Sequence, residues 1–110
     1  MPLDVEGLTR RLLEFRDARN WARFHNPKDL AIGLSVEAAE LVEVFLWRPP
    51  EEADRARVQE ELADVLVFVL LLAEKYGLDL ERIVLDKIAV NEAKYPVEKA
   101  RGTAEKYDRL

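Results

Sequence analysis

Four acidic residues, in two pairs, occupy positions where the apolar spacing of the sequence predicts core-facing side chains. Glu37 and Glu40 form the first pair, and Glu61 and Asp64 form the second. The apolar residues that set the spacing are Leu34, Leu41 and Val44 around the first pair, and Val58, Val65, Phe68 and Leu72 around the second. Residues three apart on a helix have Cβ atoms about 5–6 Å apart, so each pair can converge on one point in space.

Carboxylates crowded in a partly buried site repel one another, and an isolated buried carboxylate takes up a proton. A divalent cation removes this cost, and hard oxygen ligands suit Mg²⁺ or, as an alternative, Mn²⁺. Two such pairs on consecutive helices therefore predict a metal site of four carboxylates. The competing interpretation is that they are ordinary exposed or ion-paired acids, since 35% of the chain is charged.

A basic and polar series follows the acid pairs along the chain. The series Leu80, Val84, Lys87, Asn91 and Lys94 begins apolar and becomes basic and polar at helical spacing. Amines and an amide at one end of a helix are natural partners for phosphate. In the alternative interpretation, the long side chains simply extend to water.

Aromatic residues cluster beside predicted helix ends. They are Trp21, Phe24, His25 and Tyr95, with Phe45 and Trp47 just before two prolines. Planar side chains of this kind either seal the ends of a helical bundle or stack against a nucleobase. We expect His25 to pack or form a hydrogen bond near a substrate rather than to act as a catalytic base.

Apolar residues recur at helical spacing along almost the whole chain, and no segment alternates long enough to predict a strand. Four helices are predicted, with start and stop signals at their ends. The first begins at Val5 after an Asp4 cap and fades through residues 19–21; the second covers about 27–47, from Asn26-Pro27 to the prolines; the third follows the acidic turn 51–54 and reaches about Tyr76; the fourth runs from Asp79 to about Lys94.

These four helices with short connections predict an all-α fold, an antiparallel four-helix bundle, as a single domain over residues 1–110. Residues 98–110 are expected to form a charged, solvated tail. The segment Val65–Ala73 is apolar on every side of its helix. Four short helices cannot surround it, so a second subunit is expected to cover it, giving a homodimer or a homotetramer.

Composition excludes several functional classes. The 110 residues include 17 Lys+Arg and 22 Asp+Glu, a net charge of −5, and no Cys. Disulfides, thiolate metal sites and thiol nucleophiles are therefore excluded. The acidic balance argues against binding to a nucleic acid polymer. The longest apolar run is far shorter than the ~20 residues of a membrane span, and no secretion signal is visible, so we expect a cytoplasmic protein.

The segment Glu37-Ala-Ala-Glu40, followed after 20 residues by Glu61-Leu-Ala-Asp64, resembles a family signature. It is similar to the E-x-x-E and E-x-x-D motifs of the all-α nucleoside triphosphate pyrophosphohydrolases, the MazG-like superfamily. The surrounding motifs resemble its dCTP pyrophosphatase branch over nearly the whole chain. They include Phe15-Arg16-Asp17, Trp21, Phe24 to Lys28, Leu41 to Trp47, Lys87, Asn91, Lys94 to Val97, Arg101-Gly102 and Lys106-Tyr107.

This resemblance implies Mg²⁺-dependent hydrolysis of a nucleoside triphosphate, dCTP or a modified dCTP, to the monophosphate and pyrophosphate. Glu37, Glu40, Glu61 and Asp64 would bind the metal, and a glutamate, Glu40 or Glu37, would orient or deprotonate the attacking water. By the same resemblance, Trp21, His25 and Trp47 would line the base pocket, Lys87, Asn91, Lys94 and Tyr95 would hold phosphate and sugar, and Lys106 and Tyr107 would reach a neighbouring active site.

Other functions stay open from the sequence. The alternatives within the same chemistry are dUTP or a broad range of noncanonical triphosphates, with phosphoribosyl-ATP more distant. The alternative from another class is a non-catalytic helical dimer that binds a nucleotide or a partner helix. The sequence departs from the branch at Phe68, where the branch has an aromatic hydroxyl, so one hydrogen bond to the substrate is not expected.

Overall fold

The computed structural model describes residues 2–110. Its α-helices are α1 (Val5–Ala18), α2 (Pro27–Glu43), α3 (Arg55–Tyr76), α4 (Leu80–Lys94) and α5 (Val97–Ala100), with 3₁₀ turns at Ala22–Phe24, Pro50–Glu52 and Tyr107–Arg109. Residues 2–110 contain no strand, which confirms the predicted all-α class. None of the helices described here is both long and apolar enough to cross a bilayer.

The predicted helix starts are confirmed by their capping hydrogen bonds. Asp4, Asn26 and Asp79 each accept a hydrogen bond from a backbone N–H in the first turn of the following helix. The donors are Gly7, Asp29 and Arg82, at 2.9, 2.9 and 3.1 Å. Short polar side chains stabilise helices at these positions because they satisfy N–H groups that have no partner within the helix.

The prediction for the end of α2 is wrong by four residues. α2 ends at Glu43, and the chain continues as turns to Trp47, which has a left-handed φ of +64°. The last bonds tighten to i→i−3 geometry, with the Val44 N–H 3.2 Å from the Leu41 carbonyl oxygen. The chain therefore leaves the helix before it reaches Pro49, because turns and the left-handed residue already redirect it.

The chain divides into two compact units, one up to Leu78 and one over Asp79–Leu110. In the first unit α3 packs against both α1 and α2. Its buried residues are Leu30, Val44, Leu70, Leu71 and Ala73. The contacts of α3 with both neighbours make it the element against which the other two helices are positioned. The single domain and the four-helix bundle remain predictions.

The apolar segment of α3 is only partly covered by its own chain. Leu70, Leu71 and Ala73 are buried, whereas Leu66 is 36% exposed, and Leu62, one turn before it on α3, is 55% exposed. Large apolar side chains on α2 are also about half exposed, namely Ile32, Val36 and Val42. The second subunit expected to cover this surface remains a prediction.

The C-terminal tail has local structure of its own. Most of its side chains are exposed, as predicted for a solvated segment, yet it forms α5 and a 3₁₀ turn. The Tyr107 ring meets the Tyr95 ring edge-on, with centroids 6.2 Å apart, and the Lys94 Nζ lies 4.8 Å from the Tyr107 centroid. These contacts hold the tail against the end of α4.

Candidate active site

Carboxylates from α2 and α3 meet where these two helices pack together. Glu37 on α2 and Glu61 and Asp64 on α3 each offer an oxygen atom, and these atoms all lie within 4.8 Å of one another. Glu37 and Glu61 are half-buried, and Asp64 is exposed. The fourth predicted acid, Glu40, is half-buried one turn beyond Glu37 and interacts with both Glu37 and Glu61.

The crowding of these acids changes their protonation. A side-chain hydrogen bond with Glu40, then burial, then the negative charges of Glu40, Asp64 and Glu61 raise the pKa of Glu37 to about 7. Burial and the charge of Glu40 are the main causes that raise the pKa of Glu61. Each cause disfavours the ionised carboxylate, so the metal-free cluster holds protons that a cation would displace.

Two oxygen atoms of the cluster lack a partner. Glu37 Oε2 and Glu61 Oε2 are buried and make no hydrogen bond with residues 2–110. A buried acceptor without a partner is destabilising, and a divalent cation satisfies such oxygens directly. The donor set of three clustered carboxylates with a fourth beside them therefore fits a hard divalent cation such as Mg²⁺.

A pocket of about 500 Å³ lies between α1 and α3. Its lining is mostly apolar and aromatic, with a few polar groups. The lining residues are Leu8, Arg11, Leu12, Phe15, Arg16, Trp21, His25, Asp64, Val67, Phe68 and Leu71. Phe15 and Trp21 pack edge-on with ring centroids 5.8 Å apart and an angle of 74° between the rings, so two aromatic rings in different planes line one side of the pocket. Such a surface suits a planar heterocycle.

His25 is half-buried in this pocket, and its Nδ1 has no hydrogen-bond partner in the described part of the chain. Burial, followed by the positive charges of Arg16 and Lys75, lowers the pKa of His25. The neutral imidazole is therefore favoured near pH 7, with one nitrogen able to donate and the other able to accept. This state suits recognition of a polar edge, and the expectation that His25 is not a catalytic base stays a prediction.

Asp64 belongs to both features. It contributes an oxygen to the acidic cluster and also lines the pocket. The model of the MazG-like family matches residues 32–110, a range that contains both acid pairs. The chain belongs to the MazG-like family.

The proteins that are similar to this chain support its membership of the family. The chain is 40% identical to dCTP pyrophosphatase 1 from Bos taurus and 37% identical to that from Homo sapiens, over 96% of this chain and 68% and 67% of those proteins. It is also similar to the crystal structure of a pyrophosphatase from Archaeoglobus fulgidus, with a TM-score of 0.79 and 39% identity over 87% of this chain and 95% of that one. The predicted enzyme class, a nucleoside triphosphate pyrophosphohydrolase, is confirmed.

One aromatic residue predicted for the base pocket of this MazG-like protein lies apart from it. Trp47 is 97% exposed, follows α2 in a left-handed conformation and is not among the residues that line the pocket. The other two predicted base-pocket residues, Trp21 and His25, line the same pocket. A role for Trp47 in substrate binding stays a prediction.

The residues predicted to bind phosphate and sugar all lie in the second compact unit. Lys87, Asn91 and Lys94 are exposed on α4, and Tyr95 is half-buried at its end. Lys106 and Tyr107 follow in the tail, and both are exposed. Their roles in this MazG-like chain remain predictions.

The sequence did not place Arg16 in the pocket, and it connected position 68 with the substrate only through the resemblance. The Arg16 side chain is only 13% exposed, and its Nε donates to Asp17 Oδ1 at 2.8 Å. Arg16 lies one turn after Leu12 on the apolar side of α1, and Phe68 lies one turn after Asp64 on α3. This helical spacing is the signal that could have identified both residues.

Proposed function

We propose that this protein hydrolyses dCTP, or a modified dCTP, to the monophosphate and pyrophosphate with Mg²⁺ as its cation. The observation that supports this most is the position of Asp64, which belongs to both the acidic cluster and the aromatic pocket. A nucleotide whose base enters the pocket would then present its phosphates near the carboxylates. The names of the dCTP pyrophosphatase relatives favour cytosine as the base.

Glu37, Glu61 and Asp64, with Glu40 beside them, would hold the cation. When bound, Mg²⁺ neutralises phosphate charge and makes hydroxide available near neutral pH. Glu40 or Glu37 would accept the proton of the attacking water. The water oxygen then forms a bond to the α-phosphorus, the bond from that phosphorus to the bridging oxygen breaks, and pyrophosphate leaves with that oxygen.

The pocket offers polar groups that match the edge of cytosine. Cytosine presents a carbonyl oxygen and a ring nitrogen as acceptors and an amino group as a donor. Arg16, held by Asp17, would donate to an acceptor on this edge, and the neutral His25 would accept from the amino group. Trp21 would contact the face of the base, and Phe15, whose ring stands at 74° to that of Trp21, would support the Trp21 ring.

Lys87, Asn91, Lys94 and Tyr95 stay the residues proposed to bind phosphate and sugar. Lys87, Asn91 and Lys94 are exposed on α4, and the Lys94 Nζ also lies 4.8 Å from the centroid of the Tyr107 ring. Two ammonium groups and an amide donate hydrogen bonds to phosphate oxygens. Tyr95 has a phenol hydroxyl that suits a sugar hydroxyl.

A panel of triphosphates tests the proposed substrate. Purified protein is assayed for pyrophosphate release with dCTP, dUTP, dTTP, dATP and dGTP at equal concentration with Mg²⁺. We expect the largest kcat/KM for dCTP. A largest value for dUTP, or similar values for all five, would support the corresponding alternative substrate. Binding of a nucleotide without pyrophosphate release from any of the five would instead support the non-catalytic binding dimer.

Trp47→Ala tests the predicted role of the exposed tryptophan. The resemblance puts Trp47 beside the base although it does not line the described pocket, so we expect the KM for dCTP to rise about tenfold, because an aromatic contact with a base contributes ~1–3 kcal/mol. The Mg²⁺ concentration for half-maximal activity should stay the same. Stability should change by less than about 0.5 kcal/mol, because the side chain is 97% exposed.

The matched control is Trp47→Phe, which keeps a stacking ring and should recover most of the affinity. Steady-state kinetics with dCTP measures both variants. An unchanged KM in Trp47→Ala would remove Trp47 from the substrate site.

A further inference from the structure

Gly33 on α2 lies in direct contact with the ring of Phe68 on α3. A Cβ atom at position 33 would meet Phe68 Cζ at 2.8 Å and Cδ1 at 3.0 Å, and Cε1 would be closer still. Real Cβ contacts are longer than this. The ring therefore occupies the space that any other amino acid at position 33 would fill with its side chain.

The backbone conformation does not require a glycine at position 33. Gly33 lies inside α2, where glycine destabilises a helix relative to alanine, and it has no positive φ. A glycine at such a position is favoured where another group must approach the backbone closely. Here that group is the Phe68 ring.

The same ring links the two halves of the candidate site. Phe68 lines the pocket together with Trp21 and His25. It follows Asp64 by one turn of α3, and Gly33 precedes Glu37 by one turn of α2. The contact between Gly33 and Phe68 thus lies next to the acidic cluster and forms part of the wall of the pocket.

We infer that Gly33 is a positioning residue that lets the Phe68 ring pack against α2, and that this packing sets the space in the pocket for a pyrimidine base. The inference rests on the proposed function for its substrate. Because position 33 has no side chain, the Phe68 ring packs directly against α2. With one, the ring turns into the pocket, since the pocket is the open space beside it.

The expected effect is on binding rather than on folding. In Gly33→Ala the ring moves into a cavity, so no packed core residue has to shift. Alanine also favours the helix more than glycine does, so the melting temperature should be unchanged or higher. The smaller pocket should hold the base less well, while the carboxylates that act on the phosphate are unaltered.

The experiment compares wild type, Gly33→Ala, Phe68→Leu and the double variant, with KM and kcat measured for dCTP and dATP. For Gly33→Ala we expect the KM for dCTP to rise about tenfold and kcat to change less than about threefold. For Phe68→Leu we expect the preference for dCTP over dATP to fall about tenfold, because the pocket is larger. In the double variant the smaller side chain removes the clash, so the KM should return to within about threefold of the Phe68→Leu value.

Ser35→Ala is the matched control, because Ser35 is exposed on the same helix and bonds only to the Ile32 carbonyl oxygen. It should leave KM, kcat and base preference unchanged. A wild-type KM in Gly33→Ala would overturn the inference. The inference would also be overturned if Gly33→Ala raised the KM for dCTP equally in wild type and in Phe68→Leu.

Binding of dCMP, measured by calorimetry without metal, separates this inference from the proposed function. The inference alone is overturned if wild type hydrolyses dCTP while the effects of Gly33→Ala and Phe68→Leu on the KM are additive. Binding of dCMP that follows the expected pattern, without any hydrolysis, supports the inference and overturns the proposed function. Absence of both binding and hydrolysis overturns both.

Discussion

Glu40→Gln is expected to lower kcat for dCTP by about 100-fold or more, because a positioned base contributes about 10²–10⁴-fold to such a reaction. The metal-free variant should nevertheless be as stable as wild type, or more stable. Glu40 is the hydrogen-bond partner and the nearby charge that raise the pKa of Glu37, and its charge also disfavours ionised Glu61. Removal of one negative charge relieves this repulsion, and improved stability with lost activity is typical of functional residues.

The stability gain should depend on pH. At pH 5.5 Glu37 holds its proton in the folded protein, since its pKa is raised to about 7, and the repulsion is reduced. At pH 8 the carboxyl is ionised, so the melting temperature of Glu40→Gln should exceed that of wild type by more than at pH 5.5.

Glu43→Gln is the matched control, because Glu43 is exposed at the end of the same helix, outside the acidic cluster. It should change neither kcat nor the pH dependence of melting. A Glu40→Gln protein that loses stability but retains activity would identify Glu40 as a structural residue.

Removal of Mg²⁺ with a chelator should abolish pyrophosphate release, and addition of Mg²⁺ should restore it. The cation should also raise the melting temperature, because a ligand that binds only the folded state stabilises it by about 2.7 kcal/mol at one hundred times its Kd. We expect Mg²⁺ to bind Glu37 Oε2 and Glu61 Oε2, which have no hydrogen-bond partner among residues 2–110. Thermal melting with and without Mg²⁺ measures it independently of activity.

The Mg²⁺-dependent rise should be larger at pH 8 than at pH 5.5. An acid whose pKa is raised on folding contributes stability that is fully present below its unfolded pKa and is lost as pH rises through the folded pKa. For Glu37 this window lies between about 4.5 and about 7, so the metal-free protein loses that contribution across it. Mg²⁺ competes with the same protons and therefore binds better above pH 7.

The double variant Glu61→Gln, Asp64→Asn should lose most of the Mg²⁺-dependent rise in melting temperature. Glu60→Gln, an exposed neighbour on α3, should keep it. An equal rise in both variants would mean that Mg²⁺ binds elsewhere on the protein.

The acid pairs show how much of the site could be predicted from the sequence. Helical spacing alone placed Glu37 and Glu61 among apolar residues, and the structure brings their oxygens together with one from Asp64. Asp64, however, is exposed rather than inward-facing. The exposure of Asp64 depends on how α2 and α3 are rotated against each other, and the spacing of residues within one helix does not determine that rotation.

The end of α2 was predicted less well. Proline prevents a helix from continuing, but it does not fix where the chain leaves the helix upstream. Turns from Val44 to Trp47 end α2 after Glu43 and leave Trp47 almost fully exposed, apart from the pocket formed by Trp21 and His25. The aromatic type of Trp47 was visible in the sequence, but its placement was not.

Capping and periodicity act between residues a few positions apart, so the amino-acid sequence was enough to predict α1 to α4, three capped helix starts and two acid pairs on consecutive helices. The packing of the helices, by contrast, places Asp64 in both the acidic cluster and the pocket and brings Gly33 against Phe68. These features depend on contacts between helices, where a rotation or a shift of a few ångströms changes which side chains meet. Spacing along the chain therefore predicted which residues could do chemistry, whereas packing between the helices decided which of these residues lie in one site.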